Sequence, residues 1–287
     1  MGLLTNLTNL KDKVEAARHS AAAPSPPSAA QPQTQPSSSS KPCSKRGLCW
    51  PLENNNNNDQ VSAFTRPGTK VSWLYNWSPN PTTCSLEWVP MSWNTADMSS
   101  LPGKVAHQSA SHLLAFNEPE LPDQSNISVS SAAAAWLEHI EPIRRTGVRC
   151  GSPGISSAGH AVKWLQDFVS AIRQGGSDVD FWAIHWYGVD LGGFYDYIWS
   201  THHQLGPEKP VWITEFAATN WNESEPLPRE HVENFARESF KYVDTLDWVE
   251  RYCWFGPMRN TGTVGKWARM YDDEGKLTAL GKAYRDE

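Results

Sequence analysis

Eight short apolar runs, alternating with stretches of helical composition after all but the second, occupy this chain from Lys45 onward. The runs fall near residues 46–51, 71–76, 86–91, 112–118, 148–152, 181–187, 211–216 and 251–256. Helical stretches fall just after Asp59 and near 97–108, 128–146, 161–174, 194–204, 229–246 and 276–286. The stretch from Ser128 is rich in alanine, opens on a residue suited to an N-cap and ends near Gly147. Adjacent parallel strands need a long crossover, normally a helix, and are buried on both faces. Eight apolar runs alternating with helical stretches therefore predict an α/β fold of the (β/α)8 TIM-barrel type, which needs roughly 250 residues. Residues 43–287 would form this single domain.

The first 42 residues have a different character. From Ala21 to Ser40 there are only small, polar and proline residues and no aromatic, which cannot bury enough surface to offset ordering entropy, so 1–42 is expected to be a disordered tail. Leu3, Leu4, Leu7, Leu10 and Val14 recur at helical spacing and allow a short amphipathic helix over 3–18. That stretch has no continuous apolar core of the kind a signal peptide or a membrane span carries. Asn54–Asn58 reads as a solvated loop.

Charge narrows the ligand class. The formal net charge is −6, and no basic cluster exceeds Arg144-Arg145, so neither nucleic acid nor an anionic membrane surface is expected as a partner. A neutral substrate fits, and so does action as a monomer. Fifteen tryptophans are present, and Trp50, Trp73, Trp77, Trp88, Trp93, Trp182, Trp186, Trp212 and Trp254 sit in strand-like runs. Some must be core, but flat aromatic faces also stack on sugar rings.

Two of the apolar runs end in a carboxylate: Leu113-Leu114-Ala115-Phe116-Asn117-Glu118, the fourth, and Val211-Trp212-Ile213-Thr214-Glu215, the seventh. A glutamate at the mouth of a buried strand is costly unless paired or used. Two of them on separate strands of a narrow barrel can supply the acid and the nucleophile of glycosidic bond cleavage, and retention requires a separation of about 5 to 5.5 Å. In this fold the catalytic groups sit at the C-terminal ends of strands. Glu118 is expected as acid/base, entering the reaction protonated, and Glu215 as nucleophile. Either alone could be a solvated strand end; the joint placement carries the expectation. Glu120 rivals Glu118 but falls beyond Pro119, in the expected loop.

These residues resemble the signature of the clan A barrel glycosidases. Lys45-Arg46-Gly47-Leu48, Trp73-Leu74-Tyr75-Asn76-Trp77, Glu87-Trp88-Val89-Pro90-Met91, Phe116-Asn117-Glu118-Pro119, His185-Trp186-Tyr187-Gly188, Trp212-Ile213-Thr214-Glu215-Phe216 and Arg251-Tyr252-Cys253-Trp254-Phe255 resemble glycoside hydrolase family 128. The resemblance spans about residues 45 to 285 and implies cleavage of β-1,3-glucan with retention; it does not settle endo against exo action, of which endo is the expectation favoured here. It also implies that Asn117 binds the sugar 2-hydroxyl, that Tyr187 hydrogen-bonds the nucleophile, and that Trp254 floors the catalytic subsite. His185 shares a strand face with Tyr187 by period-2 alternation and is left between orienting the carboxylates and plain structure. Asn76, Trp77 and Trp88 are expected on the sugar-binding rim.

Other chemistries find no motif: there is no His-Glu-x-x-His, no cysteine pair at zinc spacing and no phosphate-cradling glycine loop, so neither metal nor cofactor is expected. Cys49, Cys150 and Cys253 should be buried thiols, whereas Cys43 and Cys84 could pair in an oxidising compartment. Sequons at Asn6, Asn76, Asn126 and Asn222 are weak signals. A glucan substrate argues for an extracellular or cell-wall location, with the cytoplasm the alternative because residues 3–18 contain no apolar leader. Two further readings stay open: a non-catalytic or oligosaccharide-specific glucan-binding barrel, and a clan A glycosidase acting on another β-glycan.

Overall fold

The eight apolar runs become eight parallel strands: β1 (Arg46–Cys49), β2 (Val71–Tyr75), β3 (Glu87–Trp88), β4 (His112–Leu113), β5 (Arg149–Cys150), β6 (Trp182–Gly188), β7 (Val211–Ala218) and β8 (Val249–Trp254). The computed structural model describes residues 44–56, 59–222 and 224–287. The expected tail over 1–42, its helix, Cys43 and the Asn6 sequon lie outside the described residues. Six strands form one sheet in the order β3-β2-β1-β8-β7-β6, and β4 pairs with β5. Parallel bridges Met91–Leu114 and Gly151–Phe181 join the two sets and close the barrel.

The strands β3, β4 and β5 are shorter than their apolar runs. Pro90, Pro119 and Pro153 fall where these runs would continue, and a residue without an N–H interrupts a ladder. The connections there reduce to single bonds, such as Leu114 N–H to Pro90 O at 2.9 Å and Gly154 N–H to Phe116 O at 2.8 Å. Glu118 therefore follows its strand rather than ending it, at a left-handed φ of 42°.

The helices follow the sequence reading with three departures. Ala161–Gln174 is as expected, and Leu191–Leu205 and Arg229–Asp244 differ from it by a turn or less. The stretch 128–146 is broken: Ser128 caps Val129–Ala135 through its side chain, a π-helical turn follows over Trp136–Ile140, and Glu141–Arg144 completes it. Pro142 removes one helical donor, which a local π turn absorbs. The stretch 97–108 divides into a 3-10 turn, Met98–Ser100, and the helix Leu101–His107. Of the asparagine run expected as loop, Asn54 to Asn56 lie in a helical turn, Glu53–Asn56, pinned by buried Asn54 donating Nδ2–H to Pro257 O at 2.7 Å, and the rest of the run lies outside the described residues.

Period-2 alternation sends one face of each strand into the lumen and the other to the helices. The lumen is aromatic: Trp212 stacks on Phe181 at 4.0 Å between centroids and tilts against Trp73 at 5.1 Å. Gly47 on β1 makes room for this layer, since a Cβ there would lie 2.2 Å from the Trp73 ring. Cys49 and Cys253 are buried free thiols in the lumen, and Cys150 is buried on the helix side. No helix among the described residues is long and apolar enough to cross a membrane.

Candidate active site

A cleft of about 930 Å³ opens at the C-terminal mouth of the barrel, lined among others by Trp77, Glu118, Tyr187, Glu215, Trp221 and Phe255. Its two carboxylates are nearly buried, Glu118 at 8% and Glu215 at 6% exposure. Glu215 lies inside β7, three residues before its end, not at the end as expected. It reaches the lumen through a bulge. Ile184 on β6 pairs with Ile213, but the next residue, His185, pairs with Glu215, leaving Thr214 as an extra residue. The neighbour β8 shows the same slip between Ile213 and Phe216. Trp212 and Glu215, three apart, would otherwise face opposite sides; the bulge puts both in the lumen.

Neutral donors hold Glu215. Tyr187 donates its hydroxyl to Oε2 at 2.7 Å, Trp77 donates Nε1–H to Oε1 at 2.7 Å, and the Tyr75 hydroxyl lies 3.3 Å from Oε1. Burial, and then the Glu215 charge, push both tyrosines well above the ordinary phenol value, so they remain donors at any working pH. His185 stands between the acids, with Nδ1 2.8 Å from Glu118 Oε1 and Nε2 3.8 Å from Glu215 Oε1. Burial alone would lower its pKa; the charge of Glu215 and the hydrogen bond to Glu118 outweigh burial and raise it to about 9. The imidazolium then donates Nδ1–H to Glu118.

A family model described as a glycosyl hydrolase catalytic core matches residues 47–284. The chain belongs to this glycosyl hydrolase family. This hydrolase core is 33% identical over 249 residues to Alkali-sensitive linkage protein 1 of Schizosaccharomyces pombe, covering 84% of the chain but 44% of that relative, so it spans less than half of the relative's length. A curdlan-specific exo-β-1,3-glucanase of family 128 subgroup III from Blastomyces gilchristii, solved with glucose, is similar at TM-score 0.69 and 30% identity, over 86% of this chain and 100% of that one. A subgroup I endo-β-1,3-glucanase from Amycolatopsis mediterranei, solved with laminaritriose, is similar at TM-score 0.70 and 28% identity, over 84% and 98%. The motif resemblance to family 128 and the barrel fold agree with these relatives.

Within the hydrolase core, the cleft gathers Asn76, Trp77, Asn117, Glu118, Tyr187 and Glu215 from the expected site residues, with His185 beneath. Two expectations are corrected. Trp254 does not floor the subsite: it is fully buried among Phe216, Phe235 and Phe240 on the helix side and donates Nε1–H to Ala268 O at 2.8 Å. On β8 it is Arg251, Cys253 and Phe255 that face inward, one residue out of step with Trp254. Trp88 is likewise turned out of the cleft, its Nε1–H donated to Gln108 Oε1 at 2.5 Å. Trp77 lines the cleft as expected and in addition touches Glu215. Asn76 lines the cleft with its side chain committed to its own loop, and at 3% exposure its amide offers no acceptor for a glycan.

Glu120 accepts Ser156 N–H at 2.7 Å and stays in its loop. The residues that sequence reading missed are Tyr75, Trp93, Trp221 and Phe255. Alternation from Trp73 would have found Tyr75 and Trp77 together; Trp221 sits in a loop at φ 59°, where no periodicity exists.

Proposed function

We propose that this chain is a retaining hydrolase of β-1,3-glucan, with Glu118 as acid/base and Glu215 as nucleophile. The observation that carries the reading is the single imidazole of His185 in reach of both carboxylates, which sets them facing one another across the mouth of a barrel whose relatives cleave β-1,3-glucans. Glu215, its plane fixed by Trp77 and Tyr187, attacks the anomeric carbon while Glu118 protonates the departing oxygen. In the second step Glu118 takes a proton from water, the water attacks the glycosyl ester, and the Glu215 carboxylate departs. His185 and Glu118 share a proton along their 2.8 Å bond, which supports the exchange. The Asn117 Oδ1 has no protein partner and suits a sugar hydroxyl.

Endo action is favoured because two smaller cavities share walls with the cleft, one of about 190 Å³ at Trp77 and Trp93 and one of about 340 Å³ at Gly262–Val264, and could take further sugar units of a long chain. Residues 43–287 are proposed as the catalytic domain, acting as a monomer outside the cell or at its wall. The test is chromatography of products from linear β-1,3-glucan, β-1,4-glucan and β-mannan, with Glu215→Ala as control. Short oligosaccharides from β-1,3-glucan alone, absent with the variant, are expected; glucose as the first product would overturn endo action. Release from another polymer would overturn the substrate, and release by the variant the nucleophile.

A further inference from the structure

Glu215 owes its position to β2, a strand that carries no carboxylate of the reaction. Tyr75 donates its hydroxyl to Thr214 O at 3.0 Å, pinning the extra residue of the β7 bulge. Two residues on and on the same face, Trp77 donates its indole N–H to Oε1 of Glu215 at 2.7 Å. Trp77 achieves this from a left-handed φ of 55°, which strains a bulky side chain and persists only where surroundings enforce it.

The enforcement is visible. Asn76 Oδ1 accepts from Ser78 N–H and Ser78 Oγ–H, both at 3.1 Å, while its Nδ2 donates to Asn80 O at 3.0 Å and to Thr82 Oγ1 at 3.2 Å. Two acceptor sites and two donors exhaust a carboxamide, so Asn76 has nothing left for a sugar. The bond to Ser78 N–H closes an Asx turn around Trp77. The indole is then clamped edge-on by Tyr75 at 5.2 Å and Phe255 at 6.2 Å.

We propose that Trp77 is a positioning residue for the Glu215 carboxylate, and that Asn76 acts through Trp77 by building the turn that holds it. The inference rests on reading Glu215 as the nucleophile. Trp77 on one oxygen and Tyr187 on the other fix the plane of the carboxylate before attack. Both donors are neutral, so they orient the group without the bidentate grip of an arginine, and they are in place again when the charge returns on departure. The titratable groups facing Glu215 are Tyr75, Cys49, Cys253, His185, Tyr187 and Glu118.

The test is Trp77→Phe, together with 3-benzothienylalanine at position 77, an isostere of tryptophan that lacks only the N–H. Turnover of linear β-1,3-glucan should fall about 10- to 100-fold in kcat with KM little changed, and the acidic limb of the kcat/KM profile should move to higher pH. Asn76→Ala should change kcat and the pH profile in the same direction. Full kcat with an unmoved profile in the benzothienyl variant would overturn the proposal, as would a raised KM with kcat intact, which marks a sugar-contacting wall. Glu215→Ala separates the two readings: if that variant remains active, the nucleophile assignment fails whatever position 77 does.

Discussion

Both ends of this barrel hold a pair of glutamates in or beside the lumen, and they are treated in opposite ways. At the N-terminal end Glu87 accepts from Arg251 and His112, each at 2.7 Å, and Glu250 takes both nitrogens of Arg149 at 2.6 and 2.9 Å, with Trp212 Nε1 at 3.0 Å. Arg251 is itself held between the rings of Trp212, 4.4 Å away, and Trp73, 5.3 Å away. At the C-terminal mouth Glu215 meets tryptophan and tyrosine donors, and among the described residues no arginine or lysine side chain forms an ion pair with either carboxylate there. Burial alone would raise Glu87, but its bonds to His112 and Arg251 outweigh this and draw it down to about 2. An acid matched with a guanidinium stabilises a fold and is chemically quiet. An acid free of a guanidinium partner stays available for chemistry, as the proposed nucleophile requires, at a cost in stability that the rest of the barrel must offset.

The sharpest contrast comes from neutralising one group at each end. Glu215→Gln should lower turnover by about a thousandfold or more with only a small change in Tm, because Glu215 has no guanidinium or ammonium partner and only the His185 ring 3.8 Å away as a cation. Arg251→Met should do the reverse: a loss of about 2–4 kcal/mol, or a Tm drop of roughly 5–15 °C for a chain of this size, with kcat per folded molecule preserved. Equal losses of activity from both would erase the distinction between the ends.

Unfolding free energy measured against pH gives a smaller effect of defined sign. Glu87, low in the folded state, contributes stability that is present above its ordinary value of 4.5 and is lost as pH falls through about 2. His185, raised in the folded state, contributes stability that is fully present below 6.5 and is lost as pH climbs through about 9. The Glu87→Gln variant should flatten the acid side alone, and His185→Gln the alkaline side alone.

The smallest expected effect concerns the corrected tryptophan. Trp254→Phe should lower Tm without changing KM, since its ring packs against Phe216 and Phe240, whereas Phe255→Ala should raise KM a few fold. A raised KM in Trp254→Phe would restore the ring to the sugar.

The strand and helix alternation was legible because a parallel barrel imprints its buried strands as separated apolar runs. The pair Glu118 and Glu215 was legible because a charge at a strand mouth breaks the apolar pattern. What failed was facing: Trp254 was placed by the family resemblance and Trp88 by its apolar run, and a shift of one residue turns a side chain from the lumen to the helices. Alternation along β8 would have separated Trp254 from Cys253 and Phe255. Alternation along β7 would have misled, because Trp212 and Glu215 share a face only through the extra residue at Thr214, and a bulge has no periodic signature.

Sequence by itself therefore determined the architecture, the family and the presence of two carboxylates at strand mouths, for which catalysis is proposed, since burial on both strand faces and a costly charge are properties of single segments. Only the tertiary structure decided what each carboxylate touches. The indole of Trp77, the bulge at Thr214 and the bridging ring of His185 act across strands far apart in the chain, and contacts of that kind are set by register and closure of the whole barrel.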